Sequence, residues 1–302
     1  MNDRAKTVSL ALVVVIGMFA TIALARVVDA RRPPAEVTAA DNDSLYLNSK
    51  TAKRLSLGFN GLAADWYWMR SLQYVGRKIL AVDENTAIDD LSQLDLKLLA
   101  PLLENATTLD PEFLDPYEYA AVVLPAIDVK EAIRITSKGL DANPTAWRLY
   151  QHLGYIYWQQ GDYPKAAEVY SRGAQLPGAP VWIEAMKARM AAEGGSRTTA
   201  REIYARMFEQ SADAKVKDMA HRRLLQLKSL DERDALRKLV AMYEARAGRC
   251  PQDWREIETA LRAVRAPLDE SGAPLDPSGA PYVLNSGKCE IGLDQKSEIL
   301  TK

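Results

Sequence analysis

Residues Trp147–Pro177, WRLYQHLGYIYWQQGDYPKAAEVYSRGAQLP, decide the fold of this chain. Two stretches of helical pattern flank a turn at residues 161–163, and Pro177 closes the second stretch. Proline ends a helix because it lacks a backbone N–H and clashes with the preceding turn. Gly154 and Ala166 are small residues within the two stretches, which suits helices that cross closely. The segment therefore predicts a unit of two packed helices.

The features that mark this unit recur at a fixed interval. Pro111, Pro144 and Pro177 are 33 positions apart, and Gly161 and Gly195 are 34 apart. Periods of this size are typical of proteins built from stacked repeats, which need at least about three units for stability. We predict about four helix pairs between residues 60 and 215 on this periodicity.

The neighbouring units keep only part of the pattern. Leu114–Asn143 and Val181–Glu209 retain a small residue in the second helix but lack the Leu-Gly pair of the strong unit. A first unit begins with a helix about residues 62–75, followed by a stretched turn at residues 76–87. Residues 215–248 continue as one or two amphipathic helices and form a C-terminal cap of the array.

The strong unit resembles the tetratricopeptide repeat (TPR) family. The matching residues are Trp147, Leu153, Gly154, Tyr157, Gly161, Ala166, Tyr170 and Pro177. The resemblance covers about half of the chain, with one strong and three degenerate repeats. It implies a mainly α fold, a TPR-like α-solenoid whose helix pairs form a right-handed superhelix. Its concave groove binds other proteins across that family.

Within this resemblance, one face of each first helix lines the groove. The predicted protein-binding residues are Tyr117, Arg148, Gln151, Tyr155, Trp158, Trp182 and Arg189. Four of them form one helical stripe in the strong unit, spaced by three, four and three positions. Tyr, Trp and Arg are the residue types most enriched at binding hot spots. The alternative is that these aromatic side chains pack between repeats or against the cap.

The aromatic-rich stretch Gly58–Gly76, GFNGLAADWYWMRSLQYVG, presents apolar residues almost all round a helix. Such a helix is expected to be buried on several sides, here as the first helix of the array. The alternative is a second contact site near a membrane, formed by Asp65, Trp66, Trp68 and Arg70. Arg70 follows Trp66 by four positions, which permits a cation–π contact. Catalysis by Asp65 and Arg70 is disfavoured because no third partner is identified.

The N-terminal segment contains an uncharged run of nineteen residues, Thr7–Ala25, with basic residues on both sides. About 20 apolar residues are needed for a helix to cross the hydrocarbon core. We predict a transmembrane anchor in residues 1–30 and a linker in residues 31–47. The small triplet at residues 23–25 leaves a cleaved signal peptide as the alternative, and the flanking charges do not set the orientation.

The chain has two cysteines, Cys250 and Cys289, and both lie in a Pro- and Gly-rich tail at residues 248–302. A pair confined to one loop-rich unit favours a disulfide and an oxidising compartment, whereas two unrelated thiols are the alternative. The tail predicts a short helix at residues 251–264 and a hairpin about residues 281–291, giving a small α+β unit after the helical domain at residues 48–247.

The tail also resembles, weakly, the C-terminal part of type II secretion major pseudopilins. The matching residues are Asp276, Pro277, Gly279, Pro281 and Tyr282. The N-terminal hallmark of a pilin is missing, so this resemblance does not extend to the whole chain. It implies a role as an accessory subunit of a secretion or type IV pilus-like envelope machine, which is the alternative function.

The composition of the chain disfavours several classes of function. A net charge of −1 disfavours nucleic-acid binding, and two histidines with two cysteines are too few for an ordinary zinc or iron site. No catalytic motif, cofactor site or small-molecule site is evident. We therefore expect a non-enzymatic, membrane-anchored scaffold that binds other membrane or exported proteins. Residues 7–25 would lie in the bacterial inner membrane, and the body would be periplasmic.

Overall fold

The computed structural model describes residues 47–82 and 91–301 and, nearer the N-terminus, residues 12, 16–24, 26 and 27. The chain divides into two compact units, Met1–Asn48 and Ser49–Lys302. In the first unit, residues 12, 16–24, 26 and 27 are helical, whereas residues 47 and 48 are not. Much of the predicted anchor at residues 7–25 lies outside the described residues, as does nearly all of the linker. Across the described residues, no helix combines the length and the hydropathy needed to cross a bilayer.

The second unit is mainly helical, with a small sheet near its end. Its helices are α1 (Ser49–Leu55), α2 (Asn60–Leu80), α3 (Leu99–Leu109), α4 (Leu114–Val123), α5 (Val129–Ala142), α6 (Trp147–Gln159), α7 (Tyr163–Gly173), α8 (Trp182–Glu193), α9 (Arg197–Gln210), α10 (Ala214–Ala247) and α11 (Glu258–Ala263). Its strands are β1 (Tyr282–Asn285) and β2 (Glu290–Leu293). Short 3-10 turns occur at Leu91–Leu94, Leu124–Ala126 and Trp254–Ile257.

Helices of this unit pack in sequence order. Within residues 60–82 and 91–210, four helix pairs follow one another: α2 with α3, α4 with α5, α6 with α7, and α8 with α9. Each pair also contacts the next, and α4 contacts α6 directly. The predicted stack of about four helix pairs is therefore confirmed. The first helix is longer than predicted, because α2 continues past Val75 through Gly76 to Leu80.

The turns within pairs follow from local sequence. Gly161 and Gly195 have φ angles of 72° and 91°, a left-handed conformation that glycine adopts without steric cost. Asp162 begins α7 by accepting a hydrogen bond from the backbone N–H of Lys165 at 3.2 Å. This satisfies one of the free N–H groups at a helix start. The 34-residue spacing of the two glycines is thus a spacing of turns.

Three other glycines allow the helices of a pair to approach closely. A Cβ atom at Gly154 would lie 2.8 Å from the Tyr170 ring, and one at Gly139 would lie 2.8 Å from the Tyr117 ring. At Gly173 the added atom would lie 2.7 Å from Cβ of Tyr150. These distances are shorter than van der Waals contact, so each position accepts only hydrogen. The predicted close crossing at Gly154 is confirmed.

Replacing Gly173 by Ala should destabilise the protein by about 1–2 kcal/mol, because overpacking outweighs the gain in helix propensity. The clash is with an atom next to the backbone of Tyr150, which cannot swing away. The matched control is Gly76→Ala in α2, where no described residue lies within 4 Å of the new atom. That variant should gain about 0.5–1 kcal/mol. Urea unfolding followed by circular dichroism measures both; equal effects would contradict the close crossing.

Helix α10 joins the array to the tail. It is one continuous helix of 34 residues where one or two were predicted, capped at its start by the Asp213 side chain and ended by Gly248 with φ of 70°. Leu227 packs against α9, whereas Leu236 and Val240 pack against the tail. One helix thus serves as the cap of the array and as part of the core of the tail.

The tail forms a small core against α10. Strands β1 and β2 pair antiparallel, with Tyr282 opposite Leu293, so the predicted hairpin is confirmed. The side chain of Trp254 donates a hydrogen bond to the carbonyl oxygen of Tyr282 at 2.9 Å. The hydroxyl of Tyr282 donates to Glu232 Oε2 at 2.9 Å and contacts Ser229 Oγ at 3.0 Å, both on α10. Cys250 and Cys289 are joined as a disulfide, as predicted, with Cα atoms 5.6 Å apart.

The Pro- and Gly-rich part of the tail contains a tandem repeat, LDESGAP at residues 268–274 and LDPSGAP at residues 275–281. In each copy, an aspartate oxygen accepts hydrogen bonds from the backbone N–H groups two and four residues later. Asp276 is buried and also accepts a hydrogen bond from Ser297. These bonds explain how a segment without a helix or a long strand keeps a defined conformation.

Candidate functional site

A groove lies between the first helices of the second and third pairs. It encloses about 530 Å³ between α4 with its following turn and α6. Its lining residues are Ala121, Val122, Pro125, Ala126, Gln151, His152, Tyr155 and Gln159. One wall is small and apolar, and the other carries polar and aromatic side chains. Clefts of this volume with a few polar groups are typical of binding sites.

Tyr155 and Val122 present the largest accessible apolar surfaces in this groove. Val122 is 62% exposed and Tyr155 is 44% exposed. Gln159 donates a hydrogen bond to the hydroxyl oxygen of Tyr155 at 3.1 Å, which orients the ring. A ring held in this way loses little rotamer freedom when it contacts a partner, which is one reason that Tyr is frequent at hot spots.

His152 supplies the titratable group of the groove. Burial lowers the pKa of the imidazole below its usual 6.5, and the positive charge of Arg148 adds to this shift while Glu118 opposes it. The ring is therefore neutral at pH 7, with one nitrogen as donor and the other as acceptor. His152 is a partly buried residue of α6, and its side chain lines the groove.

Trp158 connects the third helix pair to the fourth through contacts with Arg189 and Glu193. Its indole N–H donates a hydrogen bond to Glu193 Oε2 at 2.6 Å, and the Arg189 guanidinium lies 4.5 Å from its ring centroid. Arg189 Nε also donates to Glu193 Oε1 at 2.6 Å. The Tyr155 ring meets Trp158 edge to face at 5.4 Å. Trp158 and Arg189 thus pack between repeats and do not line the groove, and the Trp158 ring packs against Tyr155.

A second aromatic pair lies further along the same array. The rings of Trp147 and Trp182 meet edge to face at 6.4 Å, and the Arg148 guanidinium lies 5.2 Å from the Trp147 ring. Trp182 is 43% exposed, and Arg148 is also exposed. Arg148 and Trp182 therefore remain accessible, although they do not line the groove at Tyr155.

Tyr117 was predicted to line the groove, and this prediction is wrong. The side chain is fully buried, and its hydroxyl donates a hydrogen bond to the carbonyl oxygen of Thr107 at 3.2 Å. Burial raises the pKa of Tyr117 to about 12. Its counterpart 33 positions later is the buried Tyr150, because both rings lie against a glycine of the second helix. The true counterparts of the Tyr155 face are Ala121 and Val122.

The predicted second contact site divides into buried and exposed parts. Trp68 packs edge to face against Tyr119 at 5.3 Å and against Phe113 at 6.2 Å, so it belongs to the core. Trp66 is more than half exposed, and the Arg70 guanidinium lies 5.8 Å from its ring centroid, as the spacing predicted. Asp65 is exposed beside it.

The expectation that α2 is buried on several sides is also wrong. One face is buried, through Ala64, Tyr67, Ser71, Tyr74 and Val75. The stripe of Leu62, Trp66 and Met69 is exposed. Hydrophobicity all round a helix predicts burial only where neighbours exist on every side, and α2 is the first helix of the array.

One wall of the groove was not predicted from the sequence. Ala121, Val122, Pro125 and Ala126 are small apolar residues without a hot-spot signature, and they acquire a role only through the side chains opposite them. The available signal was the 34-residue step from Tyr155 to Ala121.

As regards metals, the described residues contain one cluster of possible ligands, Glu244 with Cys250 and Cys289, and the two sulfurs are bonded to each other.

Comparison with known proteins gives limited information. No family model and no curated protein matches the chain. Among solved structures, the chain is similar to a thermophilic TPR protein of Thermus thermophilus, with 21% sequence identity and a TM-score of 0.33. The match covers 59% of this chain and 99% of that one. A likeness at this identity and TM-score does not identify a family, and what the structure itself shows is a stack of helix pairs with close-packed glycines.

Proposed function

We propose that this chain is a non-enzymatic adaptor that binds a segment of another protein in the groove between α4 and α6. The observation that carries the proposal is the groove itself, which has an exposed Val122 on one wall and an oriented Tyr155 on the other. Two packed helices of neighbouring repeats form most of both walls, and the short 3-10 turn after α4 completes one of them. A site on rigid helices is suited to recognition without a large conformational change.

The chemistry of the groove suggests the kind of segment that it accepts. The apolar wall at Ala121, Val122 and Pro125 suits an aliphatic side chain. Gln151 and neutral His152 provide donors and acceptors for a polar group or a backbone amide. An extended or helical peptide with one apolar anchor and adjacent uncharged polar groups fits this arrangement.

We further propose that the adaptor is attached to a bacterial inner membrane through residues 7–25, with the body in the periplasm. The uncharged sequence of that segment supports attachment. The exposed apolar side chains of its described residues, among them Ile16, Phe19 and Leu24, are consistent with a lipid environment. The Cys250–Cys289 disulfide supports an oxidising compartment. The partner would then be another membrane or exported protein.

A narrower form of this proposal makes the chain an accessory subunit of a secretion or pilus-like envelope machine. Its support is the resemblance of the tail around Asp276 and Tyr282 to pseudopilins. That region is ordered by the buried aspartate and by the bond from Tyr282 to α10. If this narrower proposal is correct, the partner protein that binds in the groove is a component of such a machine.

Substitution in the groove tests the adaptor function. Full-length tagged protein with Tyr155→Ser and Val122→Ser is purified from detergent-solubilised membranes beside wild type. Loss of a hot-spot pair should lower recovery of a specific partner roughly 30-fold, corresponding to about 2 kcal/mol. The matched control is Phe208→Ser, which removes an aromatic residue of similar exposure on α9. Equal recovery with the groove variant and wild type would exclude this groove as the binding site.

A further inference from the structure

An exposed apolar surface lies at the start of the helical unit. It is formed by Leu55, Leu57, Phe59, Leu62, Trp66 and Met69, and we call it the N-terminal apolar face. Each of these side chains is more than half exposed. Scattered apolar residues are normal on protein surfaces, but a contiguous group of large ones marks an interaction site.

The positions of these residues follow from α2 and the turn before it. Leu62, Trp66 and Met69 are spaced by four and three positions, so they form one stripe along α2. Leu57 and Phe59 lie in the tight turn that precedes this helix, where Leu57 has a φ angle of 49°. Leu57 adopts this unfavourable backbone conformation although its side chain is exposed, so packing within the described structure does not account for the conformation.

The segment that carries the face has an excess of basic residues. Residues 49–80 contain six basic residues, Lys50, Lys53, Arg54, Arg70, Arg77 and Lys78, and one acidic residue, Asp65. The whole chain carries a net charge of −1, so this excess is local. Arg70 lies over the exposed Trp66 ring, and Lys53 and Arg54 are in the last turn of α1. Large apolar side chains beside Lys and Arg are typical of surfaces that enter the lipid headgroup region.

We propose that the N-terminal apolar face docks on a membrane surface that contains anionic lipids, with Phe59, Leu62 and Trp66 in the interface. Basic residues near the surface favour a membrane that contains anionic lipid. Six basic residues against one acidic residue give residues 49–80 a positive charge that is complementary to an anionic lipid surface. The predicted anchor at residues 7–25 precedes the face by a short segment of chain.

The proposal rests on the membrane attachment proposed above and is independent of the groove. Residues 26–48 connect the predicted anchor to α1. A connection of this length to a membrane anchor would keep the face at a high local concentration near the surface, so a weak contact is sufficient.

Fluorescence quenching by lipid tests the contact. Full-length protein is reconstituted in phosphatidylcholine vesicles with phosphatidylglycerol, in which the acyl chains carry bromine. Bromine quenches tryptophan only when the ring reaches the bilayer. Trp66→Phe should lose most of the quenching seen with wild type, whereas Trp182→Phe, which removes a ring of comparable exposure, should retain it. Vesicles without phosphatidylglycerol and the variant Lys50→Gln/Lys53→Gln/Arg54→Gln should each reduce the quenching.

The same quenching in Trp66→Phe and wild type would overturn the proposal. A photo-cross-linking residue in place of Leu62 then identifies what covers the face. An adduct with lipid supports the proposal, and an adduct with a partner protein, a second copy or residues 7–25 of this chain overturns it. Flotation of the full chain with vesicles reports attachment separately, and recovery of a partner by the Tyr155 variant reports the groove. The three results are therefore distinguishable.

Discussion

Replacing Tyr170 by Ala should lower the free energy of unfolding by about 3–5 kcal/mol, one of the two largest effects that we expect. The ring is 1% exposed and fills the space left open by Gly154 on the facing helix. It also belongs to the cluster of Ala166, Ile183 and Met190, which joins the third pair to the fourth. Truncation therefore leaves a cavity at the junction of two repeats.

The control for this prediction is Tyr170→Phe. The hydroxyl forms no hydrogen bond with the described residues, and burial raises the pKa of Tyr170 well above its ordinary value of 10.0. Loss of the hydroxyl alone should therefore change stability by less than about 0.5 kcal/mol. Urea unfolding followed by circular dichroism measures both variants. A loss of less than about 1 kcal/mol in Tyr170→Ala would contradict the packing described here.

Loss of the Cys250–Cys289 disulfide should destabilise the tail by about 3–4 kcal/mol. The bond joins residues 39 positions apart, so it removes much of the freedom of the unfolded tail. The hydrophobic core of the tail is small, and its main side chains are Trp254, Leu261 and Tyr282. A unit with so few buried residues depends strongly on a covalent constraint.

Hydrogen exchange of the backbone amides of β1 and β2 measures this effect in the variant Cys250→Ser/Cys289→Ser. We expect faster exchange in both strands and unchanged exchange in α6 and α7, which lie in another core cluster. Reduction of wild type by dithiothreitol should give the same pattern, which controls for the serines themselves. Unchanged exchange in β1 and β2 after both treatments would show that packing on α10 suffices to hold the tail.

The sequence predicted much of the fold because the repeat pattern is local. Prolines at residues 111, 144 and 177, turn glycines at residues 161 and 195, and small residues at the crossings recur with the period of one helix pair. Each feature acts on residues near it in the chain, so no knowledge of distant contacts is needed. The tail was predictable for a similar reason, since its hairpin and its cysteine pair lie within one short segment.

The candidate site was predictable only in part. Gln151 and Tyr155 were assigned to the groove from their helical spacing, and both line it. Tyr117 was assigned as part of the equivalent stripe one repeat earlier, although a tyrosine at that position fills the space above Gly139. Residue type does not separate an aromatic side chain that packs from one that binds. The 33- and 34-residue steps differ by one position, which is enough to move a side chain by about 100° around a helix.

Trp66 and Trp68 summarise the division between what sequence and tertiary structure determine. The sequence by itself determined that both belong to the first helix of a repeat array, since this follows from periodicity, but it predicted that this helix is buried on several sides. Only the tertiary structure decided that Trp68 packs against Phe113 and Tyr119 while Trp66 remains exposed beside Arg70. The physical reason is that burial depends on which neighbours a helix has, and α2 has neighbours on one side in the described structure.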